Sequence, residues 1–376
     1  MLAEVAGLSS VLDITVFADR FENPDPDHVQ WARVPLPTGP SFFKDWLFPK
    51  IAPLFYRWVV VKFGQFDLVQ ATQGQFRGCD ISYAHFCHRA YLENHWRNVG
   101  VRGVRRLVRW LGHRRNSWRE ARAFARARVI VVPSKGLAAE VQRTYPATAG
   151  KIHCIPNPVS GERFLRSPGY DPNPTRRQMG FAPDDFVMLF VALGDFARKG
   201  LRFVIEAMAV PDVGDAKLLV VGGSASEIAY YRRLSARLGL VHDRIYFAGF
   251  QADVRPYLWC SNVFVFPSLY ETFCLVAYQA ALAQLPLIAT TVYGVDELLE
   301  DDINGWRVDR TVGSVHDAIQ KAMAERKRLE QMGRAARSAA LQYSPTQFVT
   351  RWLALYRGLL PNVDYDRRMQ DSTIMK

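Results

Sequence analysis

The chain has 376 residues, of which 49% are hydrophobic and 22% are charged, and it carries a formal net charge of +12. This length allows two domains of ordinary size, and the composition excludes both a disordered chain and, because no apolar run reaches about 18 residues, a membrane-spanning helix. The 5 cysteines are scattered without a CxxC pair, which argues against a disulfide framework or a structural zinc site and favours reduced thiols in a cytoplasm.

The first part of the chain predicts an α/β domain. No cationic stretch precedes the apolar residues at the start, so we expect no secretory signal. Ser134 has the residue type of a helix N-cap and predicts a helix over residues 135–143. Four segments have the apolar composition and the length of strands: residues 12–17, 66–71, 80–84 and 129–133.

Two cationic segments lie between these strands. The aromatic segment, residues 42–63, mixes aromatic rings such as Trp46 and Trp58 with lysines and an arginine. The basic segment, residues 97–128, contains eleven arginines and a single acid, Glu120. A basic helix with aromatic anchors is typical of a protein that lies on a membrane, where each cation contributes about 1 kcal/mol near anionic lipid.

We therefore predict a membrane surface as a partner, bound through these two segments. The open alternative is a solvated cationic face on helices whose aromatic rings belong to the core. No nucleic acid is expected as a partner, because no motif that binds DNA or RNA accompanies the basic segment.

A second α/β series follows a boundary over residues 156–185, which is rich in Pro, Gly and Asp and is interpreted as a linker. Short apolar strands that alternate with helices predict a parallel, doubly wound sheet. The predicted strands are residues 186–193, 217–221, 244–247, 263–266 and 286–290, and the predicted helices are residues 201–209, 227–238, 253–259 and 273–284.

The domain organisation follows from these patterns. We predict an N-terminal α/β domain over residues 1–165 and a C-terminal α/β domain over residues 166–342. The pair Ser344-Pro345 provides a cap and a first turn for a helix over residues 343–362, which we expect to cross back to the N-terminal domain. Residues 363–376 are predicted to form a polar tail.

The most informative residue is Glu271, at the turn between a predicted strand and a predicted helix. Ligands of such folds bind at the carboxyl ends of the strands, near helix N-termini whose free amides favour anions. A carboxylate there repels phosphate, so Glu271 is predicted to accept hydrogen bonds from a hydroxylated ligand such as a sugar. Between two such domains, a ligand in the cleft is the default expectation.

Two adjacent cations, Arg198 and Lys199, follow the first strand of the second half within the sequence GDFARKG. Cations on a loop between a strand and a helix suit a diphosphate. An isolated Arg-Lys pair is more often an ordinary surface pair. The presence of Glu271 at the same predicted edge of the sheet favours the functional interpretation.

Four further positions are candidates for the same cleft. Gly222 ends a strand where a tight turn lets a flat base approach the backbone, and Phe250 ends the next strand, where it could flank that base. A simple turn and ordinary core packing are the respective alternatives. His85 follows the strand over residues 80–84 and His88 comes three residues later; a structural histidine is the alternative for each. No histidine cluster or Asp-x-Asp pair supports a required metal ion.

Four motifs together resemble the retaining glycosyltransferases of family 4, which have the GT-B fold: two Rossmann-like doubly wound domains that face each other across a cleft. The resemblance is good over residues 80–360 and loose over residues 12–69. The motifs are GDFARKG, VVGG, YFAGF and NVFVFPSLYETFCLVAYQAALAQLPLIATTVYGVDELLEDDINGW.

The resemblance implies transfer of a sugar from a nucleotide-sugar, UDP- or GDP-linked, with retention at the anomeric carbon and without a metal ion or cofactor. Arg198 and Lys199 would hold the diphosphate and stabilise the leaving nucleotide. Glu271 would bind hydroxyls of the donor sugar, and His85 would lie across the cleft near the reacting centre. The backbone amides at the helix start would contact sugar and phosphate; they belong to Phe273, Cys274, Leu275 and Val276.

Many members of the family act on lipid-linked acceptors at the cytoplasmic face of a membrane. The resemblance therefore implies a glycan or lipid-linked acceptor, a role in cell-surface polysaccharide synthesis, and a cytoplasmic protein held peripherally at the inner face of the plasma membrane. The basic and aromatic segments of the first half suit that location.

Three positions depart from the family pattern. Gln279 stands where the family has a second glutamate that binds the ribose, which predicts a weaker donor affinity. Cys274 stands where the family has glycine and is expected to crowd the sugar. Residues 1–17 resemble the end of the first helix and the second strand of the family, so we expect a domain that lacks the first strand and the glycine-rich loop.

Two other functions stay open at this point. One is a degenerate GT-B protein that binds nucleotide-sugar with little turnover, which the departures at Gln279 and at the start would favour. The other is a basic peripheral membrane or assembly protein whose main function is carried by residues 97–128.

Overall fold

The computed structural model describes residues 2–38, 41–98, 103–211, 213–240 and 243–361. In the first half, the helices among these residues are α1 Leu2–Leu8, α2 Ser41–Phe63, α3 His88–Asn94, α4 Gly103–Arg126 and α5 Lys135–Thr144, with 3₁₀ turns at Trp96–Asn98 and Pro146–Thr148. The strands are β1 Ile14–Ala18, β2 Val29–Arg33, β3 Gln70–Thr72, β4 Ile81–Tyr83, β5 Val129–Val132 and β6 Ile152–Cys154.

All four strands predicted in this half are present, with shifted ends. The predicted strand over residues 66–71 begins later, at Gln70, because the Asp80 carboxylate accepts the backbone N–H of Val69 at 3.0 Å. The cap at Ser134 is confirmed, since its side chain accepts from the backbone N–H of Leu137 at 3.2 Å. The sequence analysis missed β2 and β6, because one is largely exposed and the other is three residues long.

The first half does not form one continuous sheet among the described residues, which differs from the expected single doubly wound sheet. β1 and β2 pair in parallel, and β3, β4, β5 and β6 form a separate parallel sheet in that order. β1 packs through the ring of Phe17 against α2 and against the segment that precedes β3. The ring of Phe17 lies 5.6 Å from that of Phe66 and 5.9 Å from that of Tyr56.

The predicted linker contains two short helices, α6 Gly161–Phe164 and α7 Asn173–Gln178. The second half then adds the helices α8 Phe196–Lys199, α9 Leu201–Met208, α10 Ala225–Arg237, α11 Arg255–Trp259, α12 Leu275–Leu282, α13 Val312–Ala324, α14 Leu329–Leu341 and α15 Pro345–Leu359, with a 3₁₀ turn at Arg326–Arg328. Its strands are β7 Val187–Ala192, β8 Lys217–Gly222, β9 Ile245–Gly249, β10 Val263–Phe266, β11 Leu287–Ala289 and β12 Gly305–Arg307.

The second sheet confirms the predicted parallel, doubly wound arrangement, and the unpredicted β12 extends it by one edge strand. Its strand order is β12-β11-β10-β7-β8-β9, and every neighbouring pair is parallel. The chain runs outward from β7 to β9 and then returns to the other side of β7, so the order reverses between β7 and β10. Ligands of open α/β sheets bind at such a point, beyond the carboxyl ends of the two strands.

Helix α15 belongs to the core of the first half. It packs against α1, and its buried side chains, among them Phe348 and Trp352, share one apolar cluster with Ile81 and Val131. Ser344 caps the helix by accepting from the backbone N–H of Gln347 at 3.3 Å. The predicted polar tail, residues 363–376, lies outside the described residues. Within the described ranges, no helix combines the length and the apolar character needed to cross a membrane.

Candidate functional site

The loop after β7 is held against the end of β10 by its backbone conformation. Asp195 and Gly200 flank the short helix α8, with φ angles of 60° and 86°. A Cβ atom at Gly200 would lie 2.0 Å from the carbonyl oxygen of Pro267, so only glycine allows this approach. The loop that carries Arg198 and Lys199 therefore touches the loop that follows β10.

This contact brings three of the predicted residues together around one carboxylate. Glu271 Oε1 accepts from Lys199 Nζ, from the Arg198 guanidinium at 3.2 Å and from the Ser268 hydroxyl at 2.8 Å. The side chain of Glu271 is 10% exposed, and those of the two cations are 16% and 19% exposed. Charges attract more strongly at such burial than at a fully hydrated surface, so this is a tightly held ionic cluster.

Arg198 also organises the loops around it. Its Nε donates to Asp195 Oδ2 at 2.8 Å and its Nη1 donates to the carbonyl oxygen of Tyr270 at 2.5 Å. Burial opposes the charge of the guanidinium, yet Glu271 and Asp195 outweigh it and raise the pKa of Arg198. Arg198 is therefore a fixed cation that ties the loop after β7 to the loop after β10.

Sequence analysis missed three residues of this cluster. Asp195 lies inside the GDFARKG motif but was not assigned a role. Ser268 lies two residues after the end of β10, and this position is the signal that could have identified it. Arg310 is remote in sequence; its Nη2 donates to the carbonyl oxygen of Ala197 at 2.6 Å and supports α8. Nothing in the local sequence around Arg310 indicates this contact.

The positions predicted to flank a base lie at the ends of β8 and β9, two neighbouring strands. Gly222 has a φ of 96°, and a Cβ atom there would lie 1.9 Å from the carbonyl oxygen of Ala192. Phe250 is 69% exposed, so ordinary core packing does not explain it. Its ring is free to cover a flat ligand that approaches the backbone at Gly222.

The start of α12 presents backbone amides toward the same edge of the sheet. Phe273 and Cys274 precede the helix, Leu275 and Val276 form its first turn, and the first amides of a helix have no partner within it. Cys274 adopts a φ of 62°, a left-handed conformation that favours glycine. Burial, with a smaller contribution from Glu271, raises the pKa of its thiol to about 12, so it is a neutral, small apolar group here.

Gln279 lies one turn further along α12 than Leu275 and is half-buried. This position keeps it on the helix whose N-terminus faces the ionic cluster. Its expected contact with a ribose stays a prediction, as does the weaker donor affinity that an amide implies.

The two predicted histidines occupy different environments. His85 follows β4, its ring lies 4.1 Å from that of Tyr83, and burial lowers its pKa to about 4. His88 instead pairs with His113, with 2.9 Å between their Nδ1 atoms, and burial followed by the effect of His113 lowers the pKa of His88 to about 3. Both rings are neutral at pH 7, so His85 can exchange hydrogen bonds without adding charge.

The two halves meet directly beside the ionic cluster. Tyr270, next to Glu271, donates its hydroxyl to Glu140 Oε1 at 2.7 Å, and the Ser134 hydroxyl donates to the carbonyl oxygen of Thr272 at 2.7 Å. Arg109 of α4 lies 3.7 Å from the carboxylate of Asp195. Residues of both halves therefore hold the loop that carries Glu271. Within the described ranges, no group of three or more His, Cys, Asp or Glu side chains is placed to hold a metal ion.

Comparison with known proteins gives matches in both halves. The family described as Glycosyltransferase Family 4 matches residues 7–163, and the family described as Glycosyl transferases group 1 matches residues 186–325. The lipopolysaccharide 1,2-N-acetylglucosaminetransferase of Salmonella typhimurium is 28% identical over 211 residues, which are 53% of this chain and 54% of that protein. The chain spans about half the length of the curated relatives it matches.

Two solved structures share the whole architecture. Sucrose-phosphate synthase from Thermosynechococcus elongatus has a TM-score of 0.75 at 22% identity, over 96% of this chain and 92% of its own. The Anabaena protein HepE, solved in complex with UDP-glucose, has a TM-score of 0.65 at 18% identity, over 92% of this chain and 99% of its own. These likenesses confirm the GT-B fold that the sequence motifs predicted.

Proposed function

Because this chain belongs to the glycosyltransferases of family 4 and has the GT-B fold, we propose that it transfers a sugar from a nucleotide-sugar to a glycan or lipid-linked acceptor, with retention at the anomeric carbon. The observation that carries the proposal is the ionic cluster at the reversal point of the second sheet. There Arg198, Lys199 and Glu271 meet beside the N-terminus of α12 and the left-handed turn at Gly200.

The two cations supply the electrostatic part of the reaction. As the bond between the anomeric carbon and the diphosphate breaks, negative charge grows on the leaving oxygen. Arg198 and Lys199 lie in a half-buried site, where fixed cations stabilise such charge more than they would in water. They would do the work that a divalent cation does in other transferases, which supports a metal-independent reaction.

The two carboxylate oxygens of Glu271 have different roles in this scheme. Its Oε1 neutralises the two cations, while no described residue donates to its Oε2. A sugar hydroxyl can donate to that second oxygen, which orients the donor sugar above the start of α12. When the diphosphate of the donor binds, it competes with Glu271 for the charges of Arg198 and Lys199. Donor binding therefore weakens the ion pairs between Glu271 and these two cations.

The donor is proposed to be a UDP- or GDP-sugar, and the product a cell-surface polysaccharide. Two similarities support this class. HepE, which shares the fold, was solved with UDP-glucose, and one relative is a lipopolysaccharide N-acetylglucosaminetransferase. The exposed Phe250 ring and the turn at Gly222 suit a base but do not distinguish uracil from guanine.

Titration tests the proposal directly. We expect the 376-residue chain to bind one of UDP and GDP saturably in calorimetry, and the matching nucleotide-sugar to be consumed in the presence of a glycan acceptor. Binding without any turnover would favour the degenerate alternative. No binding of either nucleotide, in a chain that unfolds cooperatively on heating, would contradict the assignment of the donor site.

A membrane surface is the second part of the proposal, and the exposed side chains of α2 and α4 support it. Among the side chains that the structure describes on these two helices, ten are large, hydrophobic and exposed, and five of them are Trp58, Val61, Val104, Leu107 and Val108, all more than 50% exposed. The arginines of the basic segment lie among those on α4. Among the aromatic rings, Trp46 and Trp58 are exposed, so the alternative that places the aromatic rings in the core does not hold for these two. We propose that this face rests on anionic lipid at the inner face of the plasma membrane.

Sedimentation with lipid vesicles tests this contact. We expect the chain to bind vesicles that contain phosphatidylglycerol and to release them at high salt, because each cation contributes about 1 kcal/mol near anionic lipid. Leu107→Gln should weaken binding several-fold, since Leu107 is 57% exposed on α4. Leu341→Gln, at 46% exposure on α14, is the matched control and should leave binding unchanged. Equal effects of the two substitutions would argue against this face.

A further inference from the structure

The described residues provide the Arg198 guanidinium with three acceptors, and charged residues of the first half bind two of these three. Its Nε donates to Asp195 Oδ2 at 2.8 Å, and its Nη1 donates to the carbonyl oxygen of Tyr270 at 2.5 Å. Glu271 is the third acceptor, at 3.2 Å. Glu271 belongs to the donor site itself, whereas Asp195 and Tyr270 each contact the first half.

The first of these contacts is an aromatic pocket of the first half that holds the side chain of Tyr270. The ring of Tyr270 lies 5.2 Å from that of Phe86, 5.2 Å from that of Tyr91 and 4.6 Å from that of His95. Tyr270 is 2% exposed, and its hydroxyl donates to Glu140 Oε1 at 2.7 Å. Because both its ring and its hydroxyl are held, the first half also fixes the position of its backbone carbonyl.

Glu140 is buried at this boundary and binds two loops of the second half. It lies on α5 and is 3% exposed. Its Oε1 accepts from Tyr270, in the loop after β10, and its Oε2 accepts from the hydroxyl of Tyr293, in the loop after β11, at 3.2 Å. A buried carboxylate needs such donors, since burial of a charge without partners is costly. Glu140 therefore fixes both loops against α5.

The second contact between the halves is ionic. Arg109 on α4 lies 3.7 Å from Asp195 Oδ1, while Oδ2 of the same carboxylate accepts from Arg198. Without Arg109 the ion-paired cluster is neutral, because it joins two cations and two carboxylates: Arg198, Lys199, Asp195 and Glu271. Arg109 gives this group an excess positive charge, which favours an anion such as a diphosphate.

We infer that Arg109 and Glu140 of the first half are positioning residues for Arg198. Glu140 acts through the side chain of Tyr270. Arg109 acts through the carboxylate of Asp195. The inference rests on the proposed function and adds the residues through which the first half places the cation that stabilises the leaving diphosphate.

The kinetic consequence is a split between turnover and affinity. Arg198 stabilises negative charge that is greatest in the transition state, and this effect depends on how accurately the cation is placed. Lys199 keeps its own hydrogen bond to Glu271, which involves neither of the positioning residues. A loosened Arg198 therefore lowers kcat more than it lowers the affinity for UDP or GDP.

Tyr270→Phe tests the contact with Glu140, and Tyr293→Phe is its matched control. Each substitution removes one hydroxyl that donates to Glu140, and of the two tyrosines Tyr270 is the one whose carbonyl accepts from Arg198. We expect Tyr270→Phe to lower kcat about 10-fold while the affinity for the free nucleotide stays within about 3-fold. Tyr293→Phe should keep both quantities within about 2-fold of the wild type.

Arg109→Gln tests the ionic contact, and Arg114→Gln, which removes the same charge from an exposed position on the same helix, is its control. The side chain of Arg109 is 50% exposed, so its ion pair with Asp195 is screened by salt. We expect Arg109→Gln to lower kcat about 3–10-fold at low salt and less at high salt. Arg114→Gln should have no effect on kcat at either salt concentration.

A double-mutant cycle identifies Arg198 as the group on which both contacts act. Tyr270→Phe and Arg109→Gln are each combined with Arg198→Ala, and residual turnover is measured. We expect each to change kcat by less than about 2-fold in that background, because the cation that they position is absent. An effect that arises only from packing between the halves would persist. Thermal unfolding of every variant checks the fold.

Undiminished effects in the Arg198→Ala background would overturn the inference. Equal kcat values for Tyr270→Phe and Tyr293→Phe, or for Arg109→Gln and Arg114→Gln, would overturn it as well. Failure of the proposed function gives a different result: Arg198→Ala itself would then leave turnover and nucleotide affinity unchanged.

Discussion

Replacing Glu271 by glutamine is expected to lower sugar transfer by about 10²–10³-fold and, at the same time, to tighten the binding of a free nucleoside diphosphate. Glu271 Oε1 neutralises Arg198 and Lys199 and accepts from Ser268. Glutamine keeps the shape and an acceptor oxygen but removes the negative charge. A diphosphate then meets two cations without a competing carboxylate, whereas the donor sugar loses its charged acceptor.

Two measurements on the same protein check this prediction: turnover with the nucleotide-sugar, and calorimetric affinity for UDP or GDP. Glu271→Ala is less informative, because it leaves the half-buried Lys199 without its ionised partner and Arg198 with Asp195 alone, and it is expected to cost about 1–3 kcal/mol of the free energy of unfolding. Glu300→Gln is the control, since Glu300 is an exposed glutamate outside the cluster. Retained turnover in Glu271→Gln, or weaker binding of the free diphosphate, would show that Glu271 does not face the donor.

Lys199→Ala is expected to weaken donor binding by about 10–100-fold with little change in stability. The hydrogen bond of Lys199 Nζ that the structure shows goes to Glu271, and charge-assisted hydrogen bonds contribute about 1.5–3 kcal/mol. Arg198→Ala should weaken binding as well, but it also removes the bonds that hold Asp195 and the Tyr270 carbonyl. Lys199→Ala therefore isolates the contribution of charge at the diphosphate.

Arg202→Ala is the matched control for this measurement. Arg202 is the next cation along the chain, its side chain is 61% exposed, and it pairs with Glu206 at 2.7 Å. We expect it to leave the affinity for the donor within about 2-fold of the wild type. If the double variant Arg198→Ala/Lys199→Ala shows no detectable donor binding while Arg202→Ala keeps its affinity, the cluster is the diphosphate site. Comparable affinities in all of these variants would exclude it.

The conformation of Cys274 shows how local sequence and tertiary structure interact. The resemblance places a glycine at this position, and the structure indicates why: φ is 62°, where a Cβ atom is unfavourable. The expectation that Cys274 crowds the donor sugar stays a prediction. The thiol is buried and neutral, so any effect on donor choice would come from its volume and not from its chemistry.

Much of the second half could be predicted from local pattern, because short apolar strands that alternate with amphipathic helices admit few arrangements. All five of its predicted strands are present, and the missed strand β12 is three residues long, too short to give a periodic signal. The first half was less predictable. β2 is mostly exposed and reads as a loop, and α2 contains Pro49 and Pro53 within its span, which a local pattern would take as breaks.

The sequence by itself determined the fold class and the family. It also predicted Arg198, Lys199 and Glu271 as site residues, because these lie in contiguous motifs at strand ends, where chemistry and position along the chain coincide. Tertiary structure alone decided which groups meet. It paired Glu271 with both cations through the reversal of strand order between β7 and β10, and it joined Tyr270 to Glu140 of the other half. It also enclosed Arg115 and Gln73 in one cavity, which α2 and α4 help to form. Gln73 and Arg115 are 42 positions apart in the sequence. They line the same cavity only because helices and strands pack together, since hydrogen bonds and burial depend on distance in space and not on spacing in sequence.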